Sequence, residues 1–276
     1  MALTFSKYEG LGNDFVIVDG RVAELALARK HAVSLCDRHL GIGADGVLLV
    51  EHHGSRPAMR VINADGSRPE MCGNGLRCVA LHLLRTGAVN ETMFEVDTDA
   101  GPHLCKVQAQ GRSGQIEVSM RAPTLEPQSI PVLAEASVLD QPFEAAGQRV
   151  RMTCVSMGNP HAVTFDDVGE ARATLGPLLE KHARFPRAAN IGFARVVAPQ
   201  VIDLAVWERG VGFTQACGTG ACACAVAAVE TGRAQRNQPI EVRLPGGCLQ
   251  IVVGEAGERL SMRGPARHVF DGSVEP

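Results

Sequence analysis

The chain has 276 residues, of which 45% are hydrophobic and 21% charged, and its formal net charge is −3. This composition is typical of a globular protein with one large domain or two ordinary ones. It has no run of Lys or Arg and no apolar stretch of membrane-spanning length, so we expect neither nucleic acid nor membrane as a partner. The N-terminus lacks the apolar segment of a secretion signal, which predicts a cytoplasmic protein.

In chain order, short β-rich segments alternate with longer helical patterns, which cover about Val22 to His39 and about Asp167 to His182. A cluster of prolines between Met120 and Pro131 predicts the boundary between two halves. The predicted strands are Leu3–Glu9, Phe15–Asp19, Val47–Glu51, Met59–Asn63, Gln115–Met120, Ala162–Phe165, Ile202–Trp207, Glu241–Leu244 and Gln250–Val253.

The two halves repeat one another. MCGNGLRCVALHLLRTG (71–87) aligns with ACGTGACACAVAAVETG (216–232), a shift of 145 residues, and Cys72 falls on Cys217. Behind each cysteine, apolar residues recur at helical spacing until a glycine, which predicts a largely apolar helix in each half. Gly-Asn pairs at 12–13 and 158–159 repeat at nearly the same shift. Three matching segments indicate a duplication into two homologous α+β halves.

The repeat also selects two of the nine cysteines. An odd count without a secretion signal argues against a disulfide framework, and Cys222 and Cys224 form only a C-x-C, which is not a zinc motif. We therefore expect most of the cysteines to be small buried side chains. Cys72 and Cys217 differ because glycines flank them and a helix follows.

A cysteine at a helix N-terminus can serve as an acid or a base. The free N–H groups and the positive end of the dipole favour a thiolate, which lowers the pKa of the thiol, and the glycines let an anionic ligand approach the backbone. Two such sites could remove a proton from one face of a carbon and deliver one to the opposite face. The duplication therefore predicts an epimerase or racemase that uses Cys72 and Cys217 and needs no cofactor and no metal.

Eight motifs distributed along nearly the whole chain resemble those of the diaminopimelate epimerase family. They are GLGNDF (10–15), GIGADG (41–46), NADGS (63–67), MCGNG (71–75), GNPH (158–161), NIGF (190–193), WERG (207–210) and ACGTG (216–220). The resemblance implies an isomerase, often a homodimer, that interconverts LL- and meso-diaminopimelate. It also implies an α+β fold of two pseudosymmetric duplicated domains, each a mostly antiparallel sheet wrapped around a central helix. We expect domains at 1–119, with the tail 264–276 returning to it, and at 120–263.

The resemblance also assigns roles by position. Cys72 and Cys217 are the implied acid/base pair, and His161 and Glu208 are implied supports that orient the substrate and tune the thiols. Gly46 departs from the family, which often has Gln there. The implied substrate-binding residues are Asn13, Asn63, Gly73, Asn74, Asn159, Asn190, Glu208, Arg209, Gly218 and Thr219.

Three alternatives remain open on the residues alone. The first is a proline racemase or hydroxyproline epimerase, although a ring amino acid has no charged far end for Arg209 and the asparagines to hold. The second is a cysteine hydrolase, which has no use for a second matched cysteine. The third is a non-enzymatic metal or thiol-redox protein.

Overall fold

The computed structural model describes residues 2–53 and 56–276. The chain divides into two compact units, unit 1 with residues 1–119 and 263–276, and unit 2 with residues 120–262. Within the described part of the chain, no helix has the length and apolarity needed to cross a membrane.

Unit 1 is a closed sheet around one helix. Its strands are β1 (Leu3–Gly10), β2 (Asn13–Asp19), β3 (Gly46–His53), β4 (Arg56–Asn63), β5 (Met93–Thr98), β6 (Gly101–Gln110), β7 (Ser113–Ser119) and most of β16 (Ser261–Val274). Neighbouring strands follow this order, and β16 closes the sheet by pairing antiparallel with β1. Helix α3 (Gly73–Thr86) packs inside, while α1 (Val22–Lys30) and α2 (Ala32–Cys36) pack against the outer face of β2 and β3.

Unit 2 repeats this pattern. Its strands are β8 (Gln141–Ala145), β9 (Gln148–Ser156), β10 (Pro160–Thr164), β11 (Asn190–Ala198), β12 (Val201–Glu208), β13 (Gly212–Phe213), β14 (Pro239–Leu244) and β15 (Gly247–Val252). They follow the order β15-β14-β12-β11-β10-β9-β8, with β13 beside β12. Helix α5 (Gly218–Glu230) contacts one face of this sheet. Helix α4 (Arg172–Glu180) also packs on the strands, through an apolar cluster that includes Leu175 and Leu179.

The strand pairing confirms the duplication. In unit 1, β2 runs parallel to β3, β3 antiparallel to β4, β4 parallel to β5 and β5 antiparallel to β6. In unit 2, the same alternation joins β10, β11, β12, β14 and β15. Both sheets are mostly antiparallel. The buried helix follows β4 in unit 1, and it follows β12 and the short β13 in unit 2. The predicted α+β class is therefore confirmed.

The helices that follow the repeated cysteines are buried for physical reasons that are visible in their sequences. Every residue from Gly73 to Leu83 is buried in α3, and α5 consists of Ala, Cys, Val, Gly and Thr until its final Glu. The small side chains of α5 let strands approach this helix closely. Helix α3 ends at Gly87, which has a left-handed backbone conformation (φ 73°). This cap is the one that a glycine favours, because it has no Cβ to clash.

The two longer predicted helices are shorter in the structure. The first pattern divides into α1 and α2 at His31, and it stops at Cys36 because the Asp37 carboxylate accepts the N–H groups of His39 and Leu40 in a tight turn. The second begins only at Arg172, after a 3₁₀ turn over Gly169–Ala171.

Candidate active site

Each repeated cysteine is the N-cap of its unit's buried helix. The backbones of Cys72 and Cys217 are extended, and each sulfur accepts a hydrogen bond from the N–H three residues later, Gly75 and Gly220, at 3.4 Å in both. Ser, Thr, Asp or Asn usually makes this contact, so cysteine here places a sulfur where the helix dipole favours negative charge. A Cβ at Gly220 would lie 3.2 Å from the Cys217 sulfur, so the glycine leaves room for the cap.

In unit 1, the predicted residues Asn13 and Asn74 are joined by a hydrogen bond. The Asn74 amide donates to the Asn13 carbonyl oxygen at 3.1 Å, and the Asn13 amide donates to the Asp45 carboxylate at 2.6 Å. The buried guanidinium of Arg77 donates to the Asn74 oxygen at 3.0 Å. Each amide therefore has a fixed orientation beside Gly73 at the start of α3. Asp45 and Arg77 lie within motifs of the sequence but were not predicted as site residues.

Asn63 and Gly46 are paired across β3 and β4 at the end of the sheet. The Asn63 amide donates to the Ser67 hydroxyl at 2.9 Å. A Cβ at Gly46 would lie 2.8 Å from the Ile62 carbonyl oxygen. A side chain at Gly46 would therefore clash with the backbone of β4.

In unit 2, a chain of hydrogen bonds joins Cys217 to three predicted residues. The Thr219 hydroxyl lies 3.6 Å from the Cys217 sulfur and accepts a bond from the Asn159 amide at 3.4 Å. The Asn159 oxygen is 2.9 Å from Nε2 of His161, a buried side chain. The structure thus brings Asn159, His161, Thr219 and Gly218 together at the start of α5.

Asn190, Glu208 and Arg209 meet at the turn after β12. The Asn190 oxygen accepts the Arg209 backbone N–H at 2.9 Å, and its amide donates to the Pro160 carbonyl at 3.0 Å. The Glu208 carboxylate accepts the Thr214 hydroxyl at 2.6 Å and raises the pKa of the nearby Cys217 thiol. The Arg209 side chain is exposed and donates to the Arg187 carbonyl at 2.9 Å.

A polar cavity lies beside this turn in unit 2. Its volume is about 290 Å³, and Asn159, Pro160 and Arg209 line it together with Gln128 and Arg187. Two arginines and two amides suit the binding of a carboxylate. Gln128 and Arg187 were not predicted, because they lie in loops without a motif.

The electrostatics at Cys217 contradict the expectation of a lowered thiol pKa. Burial raises the pKa of Cys217 well above its ordinary value, and the Glu208 carboxylate raises it further. The Thr219 hydroxyl and the Gly220 N–H oppose the shift but do not cancel it. Burial also raises the pKa of Glu208 and lowers that of His161 to about 3, so His161 is neutral near pH 7.

The other cysteines mostly pack in the cores, as predicted. Cys36, Cys78, Cys105, Cys154, Cys222 and Cys224 are buried, and Cys248 is exposed. Burial raises the pKa of Cys105 and of Cys154 to about 12, so both are thiols at neutral pH.

Solved structures with this fold catalyse isomerisations. The fold matches a hydroxyproline epimerase from Agrobacterium vitis with a TM-score of 0.71 at 14% identity, covering 99% of this chain and 92% of that one. It also matches a methylitaconate-delta-isomerase with a TM-score of 0.64 at 13% identity, covering 99% and 95%. These likenesses concern the fold alone. The curated relatives that share nearly half of its residues over the full length are epimerases, so the chain is an isomerase.

The sequence itself is more specific. The profile of the diaminopimelate epimerase family matches residues 5–126 and 153–269. The diaminopimelate epimerase of Synechocystis sp. is 48% identical over 100% of both chains, and that of Desulforudis audaxviator is 47% identical over 98% of both. The chain belongs to the diaminopimelate epimerase family, and the resemblance inferred from its motifs is confirmed.

Proposed function

We propose that this epimerase interconverts LL- and meso-diaminopimelate by moving a proton between Cys72 and Cys217, in lysine and peptidoglycan precursor biosynthesis in the cytoplasm. The substrate follows from the names of relatives that share nearly half of its residues over the full length. The single observation that supports the two-base mechanism is the matched cap, a sulfur 3.4 Å from a helix N–H in each unit.

The proposed reaction needs only the side chains and backbone of this chain. One cysteine, as thiolate, takes the α-proton, and the electron pair delocalises into the carboxylate. The other cysteine, as thiol, delivers its proton to the opposite face of the carbon. Proton transfer of this kind contributes about 10²–10⁴-fold, and N–H groups that stabilise the enediolate-like carboxylate contribute more. No cofactor is required for this chemistry.

The raised pKa of Cys217 supports an assignment of which cysteine is protonated in the resting enzyme. Because burial and Glu208 both favour its protonated form, we assign Cys217 as the thiol that donates and Cys72 as the base in the first half of the cycle. In the reverse direction the two cysteines exchange roles, so that Cys217 takes the proton and Cys72 delivers one.

The remaining predicted residues would bind the substrate. Gly73 and Asn74, with Gly218 and Thr219, would hold the reacting carboxylate at the two helix N-termini. His161, as a neutral side chain, would fix the Asn159 amide to which it is bonded. The amino and carboxyl groups of the substrate would be bound by Asn13, Asn63, Asn159, Asn190, Glu208 and Arg209.

We also propose that the enzyme is a homodimer, as its family often is. Light scattering at micromolar concentration would measure a mass near twice the 29.2 kDa of one chain. A mass of one chain at every concentration would contradict this part of the proposal.

Epimerisation in heavy water tests the two-base mechanism. The proton removed by the first cysteine stays on that sulfur, while the proton delivered comes from a second sulfur that has exchanged with solvent. Early product should therefore carry deuterium at the epimerised carbon, and unreacted substrate should remain largely protonated. Mass spectrometry of early samples decides between the mechanisms, because a single base serving both faces would give mostly unlabelled product.

A parallel assay addresses the proline racemase alternative. Diaminopimelate should be turned over far faster than proline or lysine, which lack the distal carboxylate. Comparable rates on proline would overturn the proposed substrate but leave the two-base mechanism standing.

A further inference from the structure

Glu180, the last residue of α4, has a carboxylate that the reaction does not use. Its side chain is buried, with 5% of the residue exposed. Its two oxygens accept different donors, the indole N–H of Trp207 at 2.7 Å and the backbone N–H of Gly210 at 3.0 Å. These donors lie on either side of Glu208 and Arg209 in the sequence.

The turn that Glu180 holds joins β12 to β13, which pair antiparallel at Trp207–Phe213 and Glu208–Gly212. Gly210 and Gly212 have left-handed backbones (φ 77° and 101°), and Val211 is exposed. Within the turn, the Val211 N–H donates to the Glu208 carbonyl at 3.0 Å. From outside, Asn190 accepts the Arg209 N–H. A short glycine-rich turn would have several conformations without such anchors.

Helix α4 fits the indole closely, so Glu180 meets Trp207 in one geometry. A Cβ at Gly176 would lie 2.7 Å from the Trp207 ring, which shows that only glycine allows this approach. The Trp207 ring also packs edge-on against Phe213 at 5.2 Å between centroids. The indole N–H consequently points at the Glu180 carboxylate.

We infer that Glu180 is a positioning residue for the proposed epimerisation, which it serves by fixing Glu208 against Cys217 and by orienting the backbone that carries Arg209. This inference rests on the proposed function. A carboxylate suits the position because it accepts two bonds at once, whereas an amide offers one acceptor and would present its NH₂ group to the second donor. The charged acceptor also makes stronger hydrogen bonds.

The near-isosteric variant Glu180→Gln tests the inference. We expect kcat for diaminopimelate to fall about 10- to 100-fold, because small displacements of catalytic groups cost this much, and KM to rise several-fold through Arg209. The chain has one tryptophan, so its fluorescence reports directly on the Glu180–Trp207 bond. The emission spectrum of folded Glu180→Gln should shift relative to the wild type.

Glu170→Gln is the matched control, since Glu170 is an exposed residue just before α4. It should leave kcat, KM and emission unchanged. A purely structural role for Glu180 would lower the melting temperature and the amount of active enzyme, but it would leave KM and the kcat of the folded fraction as in the wild type. That pattern, or unchanged kinetics in Glu180→Gln, would overturn the inference.

A second variant keeps the inference testable if Glu180→Gln does not fold. Trp207→Phe keeps a ring against Gly176 but removes the indole donor, so it breaks one of the two bonds without changing Glu180. We expect the same direction of change in kcat and KM, smaller in size. Unaltered kinetics in Trp207→Phe would count against the inference if Glu180→Gln does not fold. A wild-type enzyme inactive on diaminopimelate would instead refute the proposed function, so the two failures are distinguishable.

Discussion

Cys72 and Cys217 occupy the same position in their units, yet their surroundings differ. Cys217 is buried beside Glu208 and Thr219, whereas Cys72 is half-buried. The distance from the sulfur to the capping N–H is 3.4 Å at both caps, so the backbone alone does not make the surroundings of the two cysteines different. The side chains packed around each sulfur determine its protonation, because desolvation and nearby charge outweigh one N–H bond.

Either cysteine alone should be insufficient for epimerisation. Cys72→Ala and Cys217→Ala should each fold, with unfolding free energies lowered by about 0.5–3 kcal/mol, and lose nearly all activity. Circular dichroism and the epimerisation rate measure the two effects separately. Cys222→Ala, at a buried cysteine of α5 outside the cap, is the control and should stay active. A cap variant that keeps more than about a tenth of wild-type turnover would contradict an acid–base role there.

Only the site residues that lie within recognisable sequence motifs could be predicted. Asn13, Asn74, Asn159 and Glu208 were named from the sequence, and their hydrogen bonds remained unknown because they join positions up to 61 residues apart. The supporting groups were missed. Glu180 is an example, since nothing in a helix-ending Glu predicts that its carboxylate meets a turn 30 residues later.

At the scale of elements, every predicted strand is present, but several others were missed. In β6, buried His103, Cys105 and Val107 alternate with exposed Pro102, Leu104 and Lys106, so polarity does not follow burial and the alternation that predicts a strand is lost. In β16, Gly264 and Pro265 interrupt the pattern in the middle of a strand. Strand β16 is stabilised by pairing with β1 near the other end of the chain, which no local pattern encodes, whereas β6 forms hairpins with its chain neighbours β5 and β7.

Gly46 should be required for the pairing of β3 with β4. Because a Cβ there would lie 2.8 Å from the Ile62 carbonyl oxygen, Gly46→Ala should lower the free energy of unfolding by about 1–3 kcal/mol, and Gly46→Gln by more. Thermal unfolding measures both. Thr4→Ala, at an exposed position of β1, is the control and should change stability by less than about 0.5 kcal/mol. An unchanged melting temperature in Gly46→Ala would show that the backbone relaxes without cost.

At the scale of the whole molecule, duplication explains why one fold carries two similar caps. The same order of strands and the same alternation of parallel and antiparallel pairs lead to a buried helix in each unit. Divergence then acted on the helices, since α3 retains Arg77 and His82 whereas α5 has no charged residue before Glu230. A reaction that removes a proton from one face of a carbon and adds one to the other can use two sites that share a backbone and differ in the side chains around the sulfur.

If both thiols serve one carbon, as we propose, mild oxidation of the substrate-free enzyme should join them. Two thiols within reach lose two protons and two electrons to an oxidant such as diamide and form a disulfide. Activity should fall, return with dithiothreitol, and be protected by diaminopimelate. Peptide mapping should find Cys72 bonded to Cys217.

Cys248 provides the control for this experiment, because it is an exposed cysteine that oxidant reaches first. Cys248→Ser should lose activity on oxidation at the wild-type rate. In Cys72→Ala and in Cys217→Ala, the cap cysteine that remains should form no disulfide. Since burial and Glu208 keep Cys217 protonated, Cys72 should be oxidised before Cys217, which then attacks it to form the disulfide. Inactivation that follows only Cys248, or pairs such as Cys222 with Cys224, would refute the view that both cysteines act on one substrate.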